Sequence, residues 1–287
     1  MDQRIIALYD EYAHAPLERR VFLERLAALA GGTAAAALLL PLLEIRRAEA
    51  AVVPPDDPRV TASYVSYPGK SGPVRGYLAK PASGTGFGAV LVIHENRGLN
   101  AHIEDVARRL ALAGFVALAP DLLSAAGGTP ANEDKARDMI QKLDRPTAVA
   151  DAAAGVAWLR QLPDADRKVG AVGFCWGGGM VNQLAVADPT LDAAVAYYGP
   201  QPDAADAAKI KAPMMLHYGA LDERIDAGIP AYRAALDKAG VSYEVFVYEG
   251  ANHAFNNDTS PARYNAAAAK LAWERTIAFF TAKLKPA

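Results

Sequence analysis

The stretch Gly173-Phe174-Cys175-Trp176-Gly177-Gly178-Gly179 decides the fold of this 287-residue chain. It follows the apolar run 169–172 and leads into residues 180–185, so it predicts a sharp turn between a strand and a helix. Glycines beside the cysteine let the two elements pass closely, and the start of a helix favours negative charge on the sulfur. The pattern predicts that Cys175, the only cysteine, is a nucleophile. The alternative is a glycine-rich turn around a buried, inert thiol.

Two loops after Cys175 carry the acid and the base that such a nucleophile needs. In α/β-hydrolases, a glycine-flanked nucleophile is followed along the chain by the acid and then by the histidine. Here the predicted strand 214–219 precedes Asp222, and the predicted strand 243–248 precedes His253. Glu223 is an alternative acid, one residue further from its strand. The other four histidines lie in the N-terminal segment, before the cysteine or within a strand (His14, His94, His102 and His217).

Further motifs extend the pattern over most of the chain. They are His94-Glu95-Asn96-Arg97-Gly98-Leu99-Asn100, after an apolar strand, and Ala117-Leu118-Ala119-Pro120-Asp121-Leu122. With the cysteine turn and the two loops, the chain from about Val60 onward resembles the dienelactone hydrolase (carboxymethylenebutenolidase) family of α/β-hydrolases. The resemblance implies a mostly parallel central sheet with helices on both faces. It also implies hydrolysis of small esters or lactones with no cofactor and no metal.

The resemblance implies a role for each residue of the triad. Cys175 would attack the carbonyl carbon and form a thioacyl-enzyme, and His253 would transfer the proton. Asp222 would hold the imidazole in the correct tautomer. The sequence therefore predicts a Cys-His-Asp triad.

Three more residues would complete the catalytic site by the same resemblance. The backbone N–H groups of Trp176 and Asn96 would bind the oxyanion. Glu95 would hydrogen-bond the resting thiol and help to deprotonate it once substrate arrives. The alternative for Glu95 is a loop carboxylate that caps the following helix.

The chain departs from the family where a substrate carboxylate is bound. Family members present arginines there, one of them a few residues after the triad histidine. Residues 254–258 and 122–128 contain no basic residue, and the next arginine is Arg263. Arg97 could compensate in part, and Tyr198 could line the site. We therefore expect an ester or lactone substrate, but not dienelactone in particular.

The first fifty residues have the pattern of an export signal. Residues 17–23 read Leu-Glu-Arg-Arg-Val-Phe-Leu, which is typical of a twin-arginine signal, and the weakly apolar stretch 26–43 follows. We expect cleavage after Ala48-Glu49-Ala50 and export to the periplasm, so that 1–50 is a leader and 51–287 is the hydrolase domain. The alternatives are an uncleaved membrane anchor and an amphipathic N-terminal helix of a cytoplasmic protein.

Composition limits the partners. The formal net charge is −2 with dispersed charges, which disfavours nucleic acid, and no Cys/His spacing resembles a metal site. We expect a small-molecule substrate, no stable membrane association after cleavage, and a monomer or small homo-oligomer. Two functional alternatives stay open: a thioesterase or acyl-peptide-type hydrolase on the same scaffold, and a non-catalytic binding or redox-sensing protein.

The remaining pattern alternates strands and helices. Residues 61–67 and 74–79 predict an antiparallel hairpin, and the apolar run 88–94 predicts a strand buried on both faces. A helix over 103–113 and a strand over 115–119 follow, with helices over 131–143 and 147–162 before the cysteine turn. A long amphipathic helix from Pro261 to Lys283 ends the chain.

Overall fold

A mixed sheet of eight strands organises the part of the chain that the computed structural model describes, which is residues 1–15, 17–44 and 51–285. The spatial order is β1-β2-β4-β3-β5-β6-β7-β8. β2 runs antiparallel to both of its neighbours, and all other pairs are parallel. The strands are β1 (Val60–Gly69), β2 (Gly72–Pro81), β3 (Phe87–Ile93), β4 (Val116–Pro120), β5 (Ala165–Phe174), β6 (Ala193–Tyr197), β7 (Met214–Gly219) and β8 (Tyr243–Tyr248).

Helices cover both faces of this sheet, which confirms the predicted α/β-hydrolase fold. α6 and α7 pack on one face, and α4 and α10 pack on the other. The helices are α1 (Gln3–His14), α2 (Arg19–Ala30), α3 (Thr33–Leu43), α4 (Ala101–Leu112), α5 (Glu133–Gln141), α6 (Arg145–Leu159), α7 (Trp176–Ala187), α8 (Glu223–Asp226), α9 (Ile229–Ala239) and α10 (Ala266–Leu284).

The central strand β3 shows why the sheet needs both helical layers. Its residues alternate between the two hydrophobic clusters: Leu91 and Ile93 belong to one, and Val90 and Val92 belong to the other. All four are fully buried. The continuous apolar run therefore forms a strand buried on both faces, as predicted.

The N-terminal segment folds as a three-helix unit with a small core of its own. Tyr9, Tyr12, Phe22 and Leu26 pack together in that core. The apolar stretch 26–43 is split at Gly31-Gly32, where both glycines have positive φ, and α2 and α3 are bent by 112°. Among the described residues, no single helix is both long and apolar enough to cross a membrane. Only α2 and α3 taken together, as a bent pair, meet both conditions. The predicted cleavage triplet 48–50 lies outside the described residues.

The C-terminal helix begins five residues later than predicted, and this shift matters for the site. α10 starts at Ala266, where the Asn265 side chain accepts a hydrogen bond from the backbone N–H of Ala268 at 3.1 Å. An asparagine in that position ends the preceding turns and begins the helix. Arg263 consequently lies on a turn outside α10, and its side chain is buried.

Candidate active site

The cysteine turn has the strained geometry that its glycines predict. Cys175 has a φ of 58° and a ψ of −118°, and it immediately precedes α7. A Cβ on Gly173 would lie 2.1 Å from the carbonyl oxygen of Gly177, and a Cβ on Gly177 would lie 2.3 Å from that of Ile93. A positive φ at a non-glycine residue costs roughly 1–3 kcal/mol and persists only where its surroundings hold it. The two glycines allow the close packing that does so.

His253 and Asp222 meet at the carboxyl ends of their strands. The Nδ1 of His253 lies 2.5 Å from Oδ2 of Asp222, and both side chains are buried. Glu223 is exposed on α8, so Asp222 is the acid in contact with the histidine. Burial alone would lower the pKa of His253. The charges of Asp222 and Cys175 outweigh that effect and raise this pKa to about 10. The arrangement lets His253 hold a proton beside the sulfur.

His14, which the sequence places in the leader, lies directly on the nucleophile. Its Nε2 is 3.0 Å from Sγ of Cys175, and its Nδ1 is 2.7 Å from the carbonyl oxygen of Asp10. Its ring also packs edge-on against His253, with a centroid distance of 4.5 Å. Burial and the neighbouring His253 lower the pKa of His14 well below its ordinary value, which keeps this ring neutral. No local motif around His14 indicates this contact.

α1 is anchored over the site by polar contacts along its length. Asp10 forms an ion pair with Arg263 at 2.9 Å, and the carbonyl oxygen of Ala13 accepts a hydrogen bond from Nδ2 of Asn96 at 2.5 Å. Tyr12 donates to Asp134 at 2.7 Å. The cavity left beside Cys175 holds about 10 Å³, which is room for about one water molecule. A substrate cannot reach the sulfur while α1 is docked.

Glu95 lies beside the nucleophile but does not contact it as expected. Its Oε2 accepts a hydrogen bond from Nδ2 of Asn257 at 2.7 Å. Its Oε1 is buried and has no partner among the described residues. The resting thiol is hydrogen-bonded to His14 instead, since the docked helix fills the place beside the sulfur. Glu95 and Cys175 nevertheless line the same small cavity.

Two arginines also line that cavity, and only Arg97 was predicted near the site. Arg97 is buried and donates to the carbonyl oxygen of Glu133 at 3.0 Å and to Asp134 at 3.2 Å. Arg263 reaches the cavity because its turn precedes α10. The predicted helix from Pro261 is therefore wrong at its start, because Arg263 lies on a turn beside the cavity and not in that helix.

The other candidates surround the triad. Trp176 is the first residue of α7, and its ring stacks on His94 at a centroid distance of 5.3 Å. Asn96 lines the cavity. Tyr198 is fully buried with a φ of 38°, and its ring centroid lies 5.0 Å from that of His253. Tyr198 thus supports the imidazole. His217 is packed inside β7 between Tyr248 and Thr276, as predicted.

Comparisons with known proteins identify relatives of this chain. A family model described as "Dienelactone hydrolase family" matches residues 74–284, and one described as "YqhI-like" matches residues 1–31. A protein of Methylorubrum extorquens, provisionally named carboxymethylenebutenolidase, is 35% identical over 234 residues, which cover 76% of this chain and 80% of that protein. An Escherichia coli K12 protein with the same provisional name is 32% identical over 241 residues, 79% of this chain and 88% of that one.

Solved structures share the fold of about four fifths of this chain. A Klebsiella pneumoniae protein, provisionally titled a dienelactone hydrolase, has a TM-score of 0.71 at 31% identity and covers 77% of this chain and 98% of its own. A metagenomic protein, P91, is titled a dienelactone hydrolase-like promiscuous phosphotriesterase. It has a TM-score of 0.71 at 27% identity, and the match covers 79% of this chain and 99% of P91. About a fifth of this chain therefore has no counterpart in either structure.

Proposed function

Because the chain belongs to the dienelactone hydrolase family, we propose that it hydrolyses small esters or lactones through the thiol of Cys175. The contact between His253 and Asp222 beside the sulfur is the observation that carries this proposal. A buried imidazole held in one tautomer by a carboxylate, within reach of a strained nucleophile, is the arrangement that acyl transfer requires.

Each step of the proposed reaction uses one of these groups. The sulfur of Cys175 attacks the carbonyl carbon while His253 holds the thiol proton, and His253 then gives that proton to the leaving alcohol. Water attacks the thioacyl-enzyme with His253 as the base, and the carboxylic acid leaves as the C–S bond breaks. The backbone N–H groups of Trp176 and Asn96 bind the oxyanion in both steps.

The docked α1 implies that the precursor is latent. His14 covers Cys175, and the remaining cavity is too small for an ester. We therefore propose that hydrolysis requires displacement or removal of the N-terminal segment. Export by the twin-arginine route with cleavage after Ala50 would remove it and leave an active periplasmic enzyme.

The ion pair between α1 and Arg263 indicates the class of substrate. Asp10 places a carboxylate on this buried guanidinium, which lines the cavity beside Cys175. Once α1 has left, Arg263 is a cation next to the nucleophile without that partner. A charge in such a place binds an anionic group strongly. We propose an ester or lactone that carries a carboxylate.

The proposed substrate class predicts a selective loss in one variant. In the 51–287 chain, Arg263→Leu should lower kcat/KM for a carboxylate-bearing aryl ester by about 10–100-fold. It should change kcat/KM for the neutral ester p-nitrophenyl acetate by less than about threefold. Steady-state kinetics with both esters test this, and Arg224→Leu, on the exposed helix α8, is the control. Equal losses for both esters would contradict the carboxylate assignment.

The covalent step is tested by intact mass. Brief mixing of the 51–287 chain with p-nitrophenyl acetate should add one acetyl group, which peptide mapping should place on Cys175 and which should turn over. Cys175→Ala should give no adduct and should lose turnover with little change in thermal stability. Steady turnover by Cys175→Ala would overturn the nucleophile assignment.

A further inference from the structure

Three metal-binding atoms meet where α1 docks on the active site. One ring nitrogen of His14, the Sγ of Cys175 and one ring nitrogen of His253 all lie within 4.8 Å of one another. Cys175 is 4% exposed and His253 is 1% exposed, while His14 is partly buried. α1 delivers one of the three donors, and the hydrolase domain supplies the other two.

Hydrogen bonds fix both imidazoles with their free nitrogens toward this point. The Nδ1 of His14 bonds the carbonyl oxygen of Asp10, and the Nδ1 of His253 bonds the carboxylate of Asp222. An Nδ1–H donated to an oxygen leaves the lone pair on Nε2, which is how histidine ligands are oriented in metal sites. The Nε2 of His253 is buried and has no hydrogen-bond partner among the described residues.

We propose that His14, Cys175 and His253 together bind one soft divalent cation of the zinc class, and only while α1 is docked. Thiolate and neutral imidazole are ligand types that zinc takes in proteins, and three protein ligands leave its fourth position open to water. Ligand atoms in a tetrahedral zinc site lie about 3.3–3.8 Å apart, so small side-chain rotations bring these three into place. The Oε1 of Glu95 is buried on the same cavity as Cys175 and has no hydrogen-bond partner in the part of the chain that the structure describes, so it is available to a water at the fourth position.

The local charges balance such an ion. Arg263 and Arg97 line the same cavity, but Asp10 pairs with the first and Asp134 with the second. Exposed Arg224 also acts electrostatically on His14. Asp222 and Glu95 add negative charge on the hydrolase side. Cys175 and His253 share one proton, which passes to solvent as the thiolate and imidazole bind the metal. No oxidant or reductant takes part.

Metal binding would stabilise the latent state because the cation binds Cys175 and His253, the two groups that react with substrate. A cation bound to Cys175 and His253 occupies the lone pairs of both the nucleophile and the base. It also joins them to α1 through His14. Metal binding and α1 docking would therefore stabilise each other, since each contributes to the other's contacts.

The test uses the full chain and cobalt(II) as the probe, with a non-chelating reductant present. Titration should give a sulfur-to-cobalt charge-transfer band that saturates at one cobalt per chain. His14→Gln should weaken cobalt binding by more than about 100-fold. Loss of a residue that only hydrogen-bonds to a metal ligand typically weakens binding by about 10–100-fold, so a larger loss indicates direct ligation. His102→Gln, which alters a buried histidine at Asp258, is the matched control and should bind as the parent does.

A restoring variant separates ligation from folding. His14→Cys should recover binding and intensify the charge-transfer band, because it adds a second thiolate to the site. An absent band in the full chain, or equal binding by His14→Gln, would overturn the proposal. Failure of His14→Cys to bind would do so as well. No ester is used, so these outcomes are independent of the proposed hydrolysis.

Discussion

Removal of residues 1–50 should raise the rate at which iodoacetamide alkylates Cys175 by about 100-fold or more. The docked helix covers the sulfur with His14 and is held by the ion pair between Asp10 and Arg263. If docking is worth about 3 kcal/mol, the exposed state is populated at roughly one part in a hundred, and alkylation slows by that factor. Mass spectrometry of both chains at one pH measures the two rates.

Two variants of the full chain sharpen this expectation. Asp10→Asn weakens the ion pair with Arg263 and should give an intermediate rate. Asp2→Asn changes another carboxylate of the same segment, which pairs with the exposed Arg4 and not with the hydrolase domain. Cys175 in this variant should be alkylated as slowly as in the parent. Equal rates for the full chain and the 51–287 chain, with matching circular dichroism, would show that α1 does not protect the thiol.

Asp222→Asn should lower kcat/KM of the 51–287 chain for p-nitrophenyl acetate by about 10⁴-fold, as in triads that lose the tautomer-fixing carboxylate. Glu223→Gln should change it by less than about twofold, because Glu223 is exposed and Asp222 makes the contact with His253. A large loss in Glu223→Gln, with near-normal Asp222→Asn, would reverse the assignment of the acid.

In the full chain, Asp222→Asn should also change how the free energy of unfolding depends on pH. The pKa of His253 is raised to about 10 in the folded chain, against about 6.5 when unfolded. A raised pKa contributes stability that is complete below about pH 6.5 and is lost as the pH rises toward 10. Asp222→Asn removes the charge that supports this shift, so its unfolding free energy should vary less across that window. Chemical denaturation at several pH values, with NMR titration of the His253 ring, measures both effects.

The proximity of Cys175, Asp222 and His253 was predictable because each of them sits in a local motif. Glycines mark the turn at Cys175, and a strand followed by a loop marks both Asp222 and His253. The order of these loops along the chain, together with a mostly parallel sheet, brings their ends to one edge. Residues far apart in sequence could therefore be expected to meet.

His14 and Arg263 were missed for different physical reasons. The arginine pair and the apolar stretch after it predict export for the first fifty residues, but they do not say where a helix docks, and His14 contacts a residue 161 positions away. A clue lay in the spacing of Ile5, Leu8, Tyr9 and Tyr12, which forms a buried stripe on α1. Arg263 was misplaced because the cap at Asn265 outweighs the helical pattern before it.

Because α1 and the hydrolase domain belong to one chain, α1 competes with substrate for the site at any dilution of the protein. A tethered segment meets its site at an effective concentration near the millimolar range, however dilute the protein is. Cutting the chain between α3 and β1 would leave the contacts of α1 intact but turn its docking into a bimolecular reaction. At low protein concentration the freed segment would then diffuse away. One peptide-bond cleavage would thus switch the site from closed to open without any rearrangement of the catalytic residues.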